Sequence, residues 1–297
     1  MDDHIFSIQD GVLDMLQEKL FLPNLNLAHT YKQISSYHLP GKKEIKATNI
    51  ETLQEPFRSF VHSHSSRTTL AVDLPVLISR NSNRPIAMIC AMDALPPIPE
   101  SNFWEGKIVN HSYDVGLGVP FSLVDDWSIP RGSLFSNLAF FKELLHHFDL
   151  YITDIYKLFF RISTGNSYVN SNAIHDYTQL QNLDGVNIHA SILEAEIDIV
   201  QPKLIITLGS ASRGALALLM KQNHNTALQL PAWNENLQQY KWNSKIPWIA
   251  SPHISNAANG TKKLLLLNSN YNHIQGQYAN ERLARIIIHE IKQQKLI

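Results

Sequence analysis

The sequence predicts an α/β protein: a three-layer α/β/α arrangement around a mostly parallel central sheet, with a helical N-terminal elaboration. Three observations carry that expectation. Apolar runs rich in β-branched residues, "IAMICAMD", "LYITDIYKL" and "KLIITLG", suit strands covered on both faces. Segments with helical spacing alternate with them, which implies crossover connections and helices on both sides of the sheet. A chain of 297 residues that is 44% hydrophobic and 17% charged buries a full core.

Taken in order, residues 1–70 read as an elaboration packed on the core. They hold an amphipathic helix around Val12 to Leu22, then a polar stretch with Pro40-Gly41 and the segment "FVHSHSSRTT". After Arg84-Pro85 the strand "IAMICAMD" stops in the proline-rich "ALPPIPE". The helix "LFSNLAFFKELLHHF" leads into the strand "LYITDIYKL"; the helix "ASILEAEIDIVQP" precedes the strand "KLIITLG" and the helix "SASRGALALLMKQ". The short strand "IPWIAS", the loop "PHISNAANG" and the helix "NERLARIIIHEIKQQ" complete the chain. In such sheets ligands lie at the carboxyl ends of the strands, so the loops after Met92, Thr153, Leu208 and Ala250 are the informative ones.

Composition narrows the function classes. A formal net charge of −1 provides no global basic field, so any contact with a polyanion is local. The single cysteine, Cys90, excludes an internal disulfide framework and a cluster held by several thiolates, and it points to a reducing cytoplasm. The N-terminus "MDDHIFSIQD" has neither a basic segment nor an apolar core, and no apolar run approaches the ~20 residues of a bilayer span. No export signal and no membrane anchor are expected. His62 with His64, and His146 with His147, lack the further ligands of a closed zinc site. No glycine-rich nucleotide fingerprint occurs, and no cofactor is expected.

Read in order, the candidate loops are "AMDALPP", "GVPFSL", "TDIYK", "LGSAS" and "PHISN". In this order and spacing, over roughly residues 80 to 295, the chain resembles the uracil-DNA glycosylase superfamily. The resemblance implies a glycosylase-like α/β domain over residues 71–297, with DNA as partner and water as the only co-reactant. Asp93 matches the family's acid, which orients water and offsets positive charge on the sugar. His253 matches the histidine that donates a hydrogen bond to the departing base, a task a neutral imidazole performs in a dry site. Phe121, approached through Gly116 and Gly118, matches the aromatic that stacks on a flipped base, with Met92 and Leu95 beside it. Gly209 and Ser210 match a phosphate-binding turn, with Lys157, Arg213, Lys262 and Lys263 as phosphate contacts. Ile254, Ser255, Asn256 and Asn259 match the loop that enters the duplex.

The chain departs from the family at several points. Its loop reads "HISN" where prolines are usual, and Ala94 stands in place of proline. Asp154 stands where the family has Asn. An ionised carboxylate only accepts hydrogen bonds and would face uracil O4 with no donor between them, at about 1–3 kcal/mol. A neutral carboxyl instead accepts from cytosine N4 and donates to N3, and burial favours that form. Leu95, where several relatives have an aromatic, leaves a smaller wall beside the base C5 atom. The expectation is a glycosylase for C5-substituted cytosine, of use against phage DNA carrying such bases. The alternatives are a uracil glycosylase of base-excision repair, with Asp154 capping its own turn, and a non-catalytic nucleic-acid-binding module. A serine hydrolase using Ser251 or Ser210 with His253 lacks the nucleophile elbow.

Overall fold

The structure, a computed structural model, describes residues 3–35, 46–63, 68–79, 84–93, 114–122, 134–164, 167–169, 180–181, 183–219, 238–242, 245–254 and 259–296. Its strands are β1 (Lys46–Asn49), β2 (Thr68–Asp73), β3 (Val76–Ile78), β4 (Ile86–Asp93), β5 (Asp114–Gly118), β6 (Asp149–Tyr156), β7 (Leu158–Thr164), β8 (Ser167–Val169), β9 (Leu204–Leu208), β10 (Gln238–Trp242) and β11 (Ile246–Ser251). The apolar runs take the centre of a six-stranded sheet in the order β10-β11-β9-β4-β6-β3. β11, β9, β4 and β6 are parallel, and β10 and β3 pair antiparallel at the edges.

Strand alternation explains the layers. Met88, Cys90, Tyr151, Ile155, Ile205 and Trp248 point to one side, against the helices Asp3–Leu20, Ile188–Val200 and Gly209–Leu219. Ala87, Ile89, Leu150, Ile152, Leu204 and Ile206 point to the other, against Leu134–Leu144 and Ala279–Gln293. The fold is therefore three-layered α/β/α with a mostly parallel central sheet, as the sequence predicts. In the first helix Ile8, Val12, Leu16 and Leu20 recur every fourth residue and are buried, while Asp10, Asp14 and Glu18 are exposed. That stripe packs on Ile188–Val200 and β3.

A second sheet, which the sequence does not announce, has the order β1-β5-β2-β7-β8. Only β2 and β5 are parallel in it. The described part of the first 70 residues thus supplies three helices, Asp3–Leu20, Leu27–Ser35 and Phe57–Ser63, and an edge strand, and position 70 itself lies inside β2.

The two sheets share one length of chain. β6 belongs to the central sheet, β7 to the second, and Lys157 is the single residue between them. Lys157 is fully buried. Its ammonium lies 2.6 Å from Glu196 and donates to Thr153 Oγ1 and to the main-chain oxygen of Asp154. Tyr151 and Thr153 donate to the other Glu196 oxygen at 2.8 and 3.0 Å. Glu196 reaches this point because helical spacing puts it on the buried face with Ile192, Leu193, Ile197 and Val200. Asn187 caps that helix through Oδ1, accepting from the amides of His189 and Ala190 at 3.0 and 3.1 Å. Gln201, left-handed at φ 51°, closes it ahead of Pro202.

Removing one member of the pair strands its partner's charge. Lys157→Met should lower unfolding stability by about 3–5 kcal/mol in a urea titration. Lys157→Met combined with Glu196→Leu should recover most of that loss; equal losses in single and double variants would show the two groups to be uncoupled.

Candidate active site

Because β11, β9, β4 and β6 run parallel, their carboxyl ends lie along one edge of the sheet. Asp93 is the last residue of β4 and pairs in register with Tyr156 of β6, two residues past Asp154. The side chains of Met92, Asp93 and Asn259 are not among those described, and Leu95, Ser255 and Asn256 lie outside the described residues altogether.

Gly209 follows β9 directly and begins the next helix at φ +92°, a conformation that L side chains rarely adopt. A methyl group there would stand 3.1 Å from Cβ of His253. The glycine thus does two things at once: it turns the chain, and it lets the loop after β11 close over the turn. The Phe121 ring lies 6.3 Å from the His253 ring and 5.4 Å from Phe141. Phe121 holds φ 54°, ψ 15°, uncommon for a bulky residue, in a short turn that packs on β6. Its ring is half-buried, so part of it faces outward.

Asp154 is buried at 2% exposure. Strand alternation puts it on the side of Leu150 and Ile152, the side against which Phe121 packs. Phe121, Asp154, Gly209 and His253 therefore gather at one end of the sheet, with the Asp93 backbone at the same edge. Burial, and next the Lys262 charge, push the His253 imidazole below its ordinary range. Neutral His253 is the form this environment favours.

Several sequence expectations need correction. Lys157 is walled in by Glu196 and Thr153 and has no route to a phosphate. Arg213 is 2% exposed, because the face of the helix that carries it packs on the sheet, so it is not a surface phosphate contact. Ile254 is 1% exposed and belongs to the core, which removes it as a wedge. Lys262 is buried and turned inward onto the Ile254 carbonyl. Ser210 and Lys263 remain exposed, with Ser210 in the first turn of its helix. Ser251 is fully buried and donates to the Pro252 carbonyl at 3.0 Å, which gives a hydrolase no accessible nucleophile there.

The residues that sequence reading missed are Glu196, Tyr151 and Thr153 around Lys157, and Asn280 beside Lys262. The signal for the first group was present: a glutamate at a core position of a helix calls for a buried cation. Burial likewise pushes the Cys90 thiol far up, so it is no nucleophile. Among the described residues no group of three or more His, Cys, Asp or Glu side chains is arranged to hold a metal ion. No described helix is long and apolar enough to cross a membrane. No protein-family model matches the chain, and no curated protein matches it.

Two outcomes follow from this geometry. Gly209→Ala should cost about 1–3 kcal/mol of unfolding stability through the strained φ and the contact with His253, read in a denaturant titration. His253 should titrate below its ordinary value of 6.5 in an NMR series. Since the folded value is the lower one, this group's contribution to stability is complete above the unfolded pKa and is lost as pH falls through that value toward the folded one.

Proposed function

We propose that this protein is a DNA glycosylase that takes a base out of the stack and hydrolyses its N-glycosidic bond, leaving an abasic site. The observation that carries the reading is the convergence of Phe121, Asp154, Gly209 and His253 at the end of the sheet where Asp93 terminates β4. Each has a role in the proposed reaction. Phe121 offers a partly open ring for the extruded base. His253, neutral and half-buried, donates a hydrogen bond to the oxygen on which negative charge gathers. Asp93 holds water on the opposite face of the sugar and offsets the oxocarbenium-like charge. The bond from sugar C1′ to the base nitrogen breaks with its electron pair leaving on the base; water oxygen bonds to C1′, and the proton it sheds balances the charge on the departing base.

Asp154 directs the choice of base. Deep burial on the Phe121 side of β6 suits a group that reads a base edge rather than one that caps an exposed turn. As a neutral carboxyl it complements cytosine, accepting from N4 and donating to N3. The target proposed is a C5-substituted cytosine, and the setting proposed is the destruction of incoming DNA that carries it.

The test compares duplexes containing uracil, cytosine or a bulky C5-substituted cytosine, with alkali to cleave abasic sites. Strand breakage confined to the substituted duplex is expected, and Asp93→Ala should reduce it by about 100-fold or more. Asp154→Asn should move release toward uracil by about ten-fold or more, the size of one mispaired buried polar contact. Excision should persist below the ordinary imidazole range and fall away as His253 protonates. Release of uracil alone by the wild type would assign the protein to repair instead. DNA binding without release from any duplex would leave a binding module.

A further inference from the structure

We propose that Lys262 is a positioning residue for His253: from beneath the loop it grips the Ile254 carbonyl together with Asn280, and so fixes where the imidazole stands against Phe121 and Gly209. The grip is three-cornered. Lys262 Nζ donates to the Ile254 oxygen at 2.9 Å and to Asn280 Oδ1 at 3.1 Å, and Asn280 Nδ2 donates to the same Ile254 oxygen at 2.8 Å. Lys262 is 3% exposed and Asn280 is fully buried, so water does not compete for these bonds.

The two residues come from different helices, Asn259–Leu266 and Ala279–Gln293, and the second is built into the core through Leu283, Ala284, Ile287 and Ile291. The loop following β11 is thereby tied to the rigid layer behind the sheet, one residue past His253. This matters because the loop lacks the prolines that would stiffen it from within: between Pro252 and the helix at Asn259 the chain reads His-Ile-Ser-Asn-Ala-Ala. Opposite the latch, Gly209 supplies the surface on which His253 Cβ rests, and Phe121 supplies an uncharged ring. Burial first, and then the Lys262 charge, press His253 toward the neutral form. Burial pulls the lysine itself downward, while two oxygen acceptors favour its ammonium form.

The placement of the imidazole stands on these contacts; its consequence for excision rests on the glycosylase reading. The experiment follows the His253 imidazole by NMR titration in the full-length protein and in Lys262→Met, Lys262→Arg and Asn280→Asp, alongside base release from the duplexes above. With Lys262→Met the His253 midpoint should rise toward the ordinary imidazole value. Its kcat should fall by up to about 100-fold with the KM for DNA little changed, as for a displaced catalytic group. Lys262→Arg should restore part of both. Asn280→Asp, nearly isosteric, should also raise the midpoint by offsetting the lysine charge, and it serves if Lys262→Met does not fold. In the wild type the Lys262 ammonium protons should exchange slowly with solvent. A His253 midpoint unmoved in a folded variant, or fast exchange at Lys262 in the wild type, would overturn the proposal. If the wild type releases no base from any duplex, the glycosylase reading fails while the titration still decides the latch.

Discussion

Lys157 and Glu196 meet at 2.6 Å with no solvent around either, at the one residue that separates β6 from β7. Burying two charges costs several kcal/mol per ion unless geometry and further hydrogen bonds offset it. Here both ends are supplied: Thr153 and the Asp154 carbonyl accept from the ammonium, and Tyr151 and Thr153 donate to the carboxylate. A well-packed apolar pair would fill the same space at less risk. What an apolar pair would not supply is the set of directional hydrogen bonds that this network makes between β6, the residue after it and the helix Ile188–Val200. The β6–β7 junction, the helix Ile188–Val200 and the central sheet are locked at one point, directly behind Asp154.

From that fixed frame the candidate site is assembled by close approach of main chain rather than by long side chains. Gly209 brings the turn after β9 against His253, and Phe121 adopts a left-handed conformation to lay its ring between His253 and Phe141. Strain of this sort persists only where the surroundings over-determine it. The surroundings here are the core layer of Phe140, Phe141 and Leu144 below and the tied loop above. Electrostatics follow the same division. The imidazole sits where burial and a neighbouring cation both disfavour its charge, while Asp154 is buried on β6.

Much of this frame was legible because its cause is local. The runs "IAMICAMD" and "KLIITLG" have too few polar positions for a half-exposed strand, and Ala87 to Cys90 and Leu204 to Leu208 are buried throughout. Gly209 and His253 were legible as residues just past strand ends. The second sheet was not, since its strands run from three to seven residues and pair across distant parts of the chain, as β1 does with β5. Nor do lysines declare their surroundings. Lys157, Lys262 and Lys263 look alike in sequence, yet only Lys263 is exposed, because the first two have acceptors that become neighbours only after folding. The wedge expected at Ile254 failed for a related reason: the chain spends that apolar side chain on its own core.

The contact between Lys157 and residue 154 is made to the main chain, not to the carboxylate. A carbonyl is common to every residue, so the lysine holds position 154 in the same place whether Asp or Asn stands there. The two side chains are nearly equal in shape and differ in what they donate. A change between them therefore alters the hydrogen-bond pattern offered to a base while the strand and its buried ion pair stay where they are. In the proposed reading, selectivity would be separable from the fold for that physical reason: Lys157 acts on a backbone atom, and the residue proposed to read the base would be left to vary in its chemistry alone.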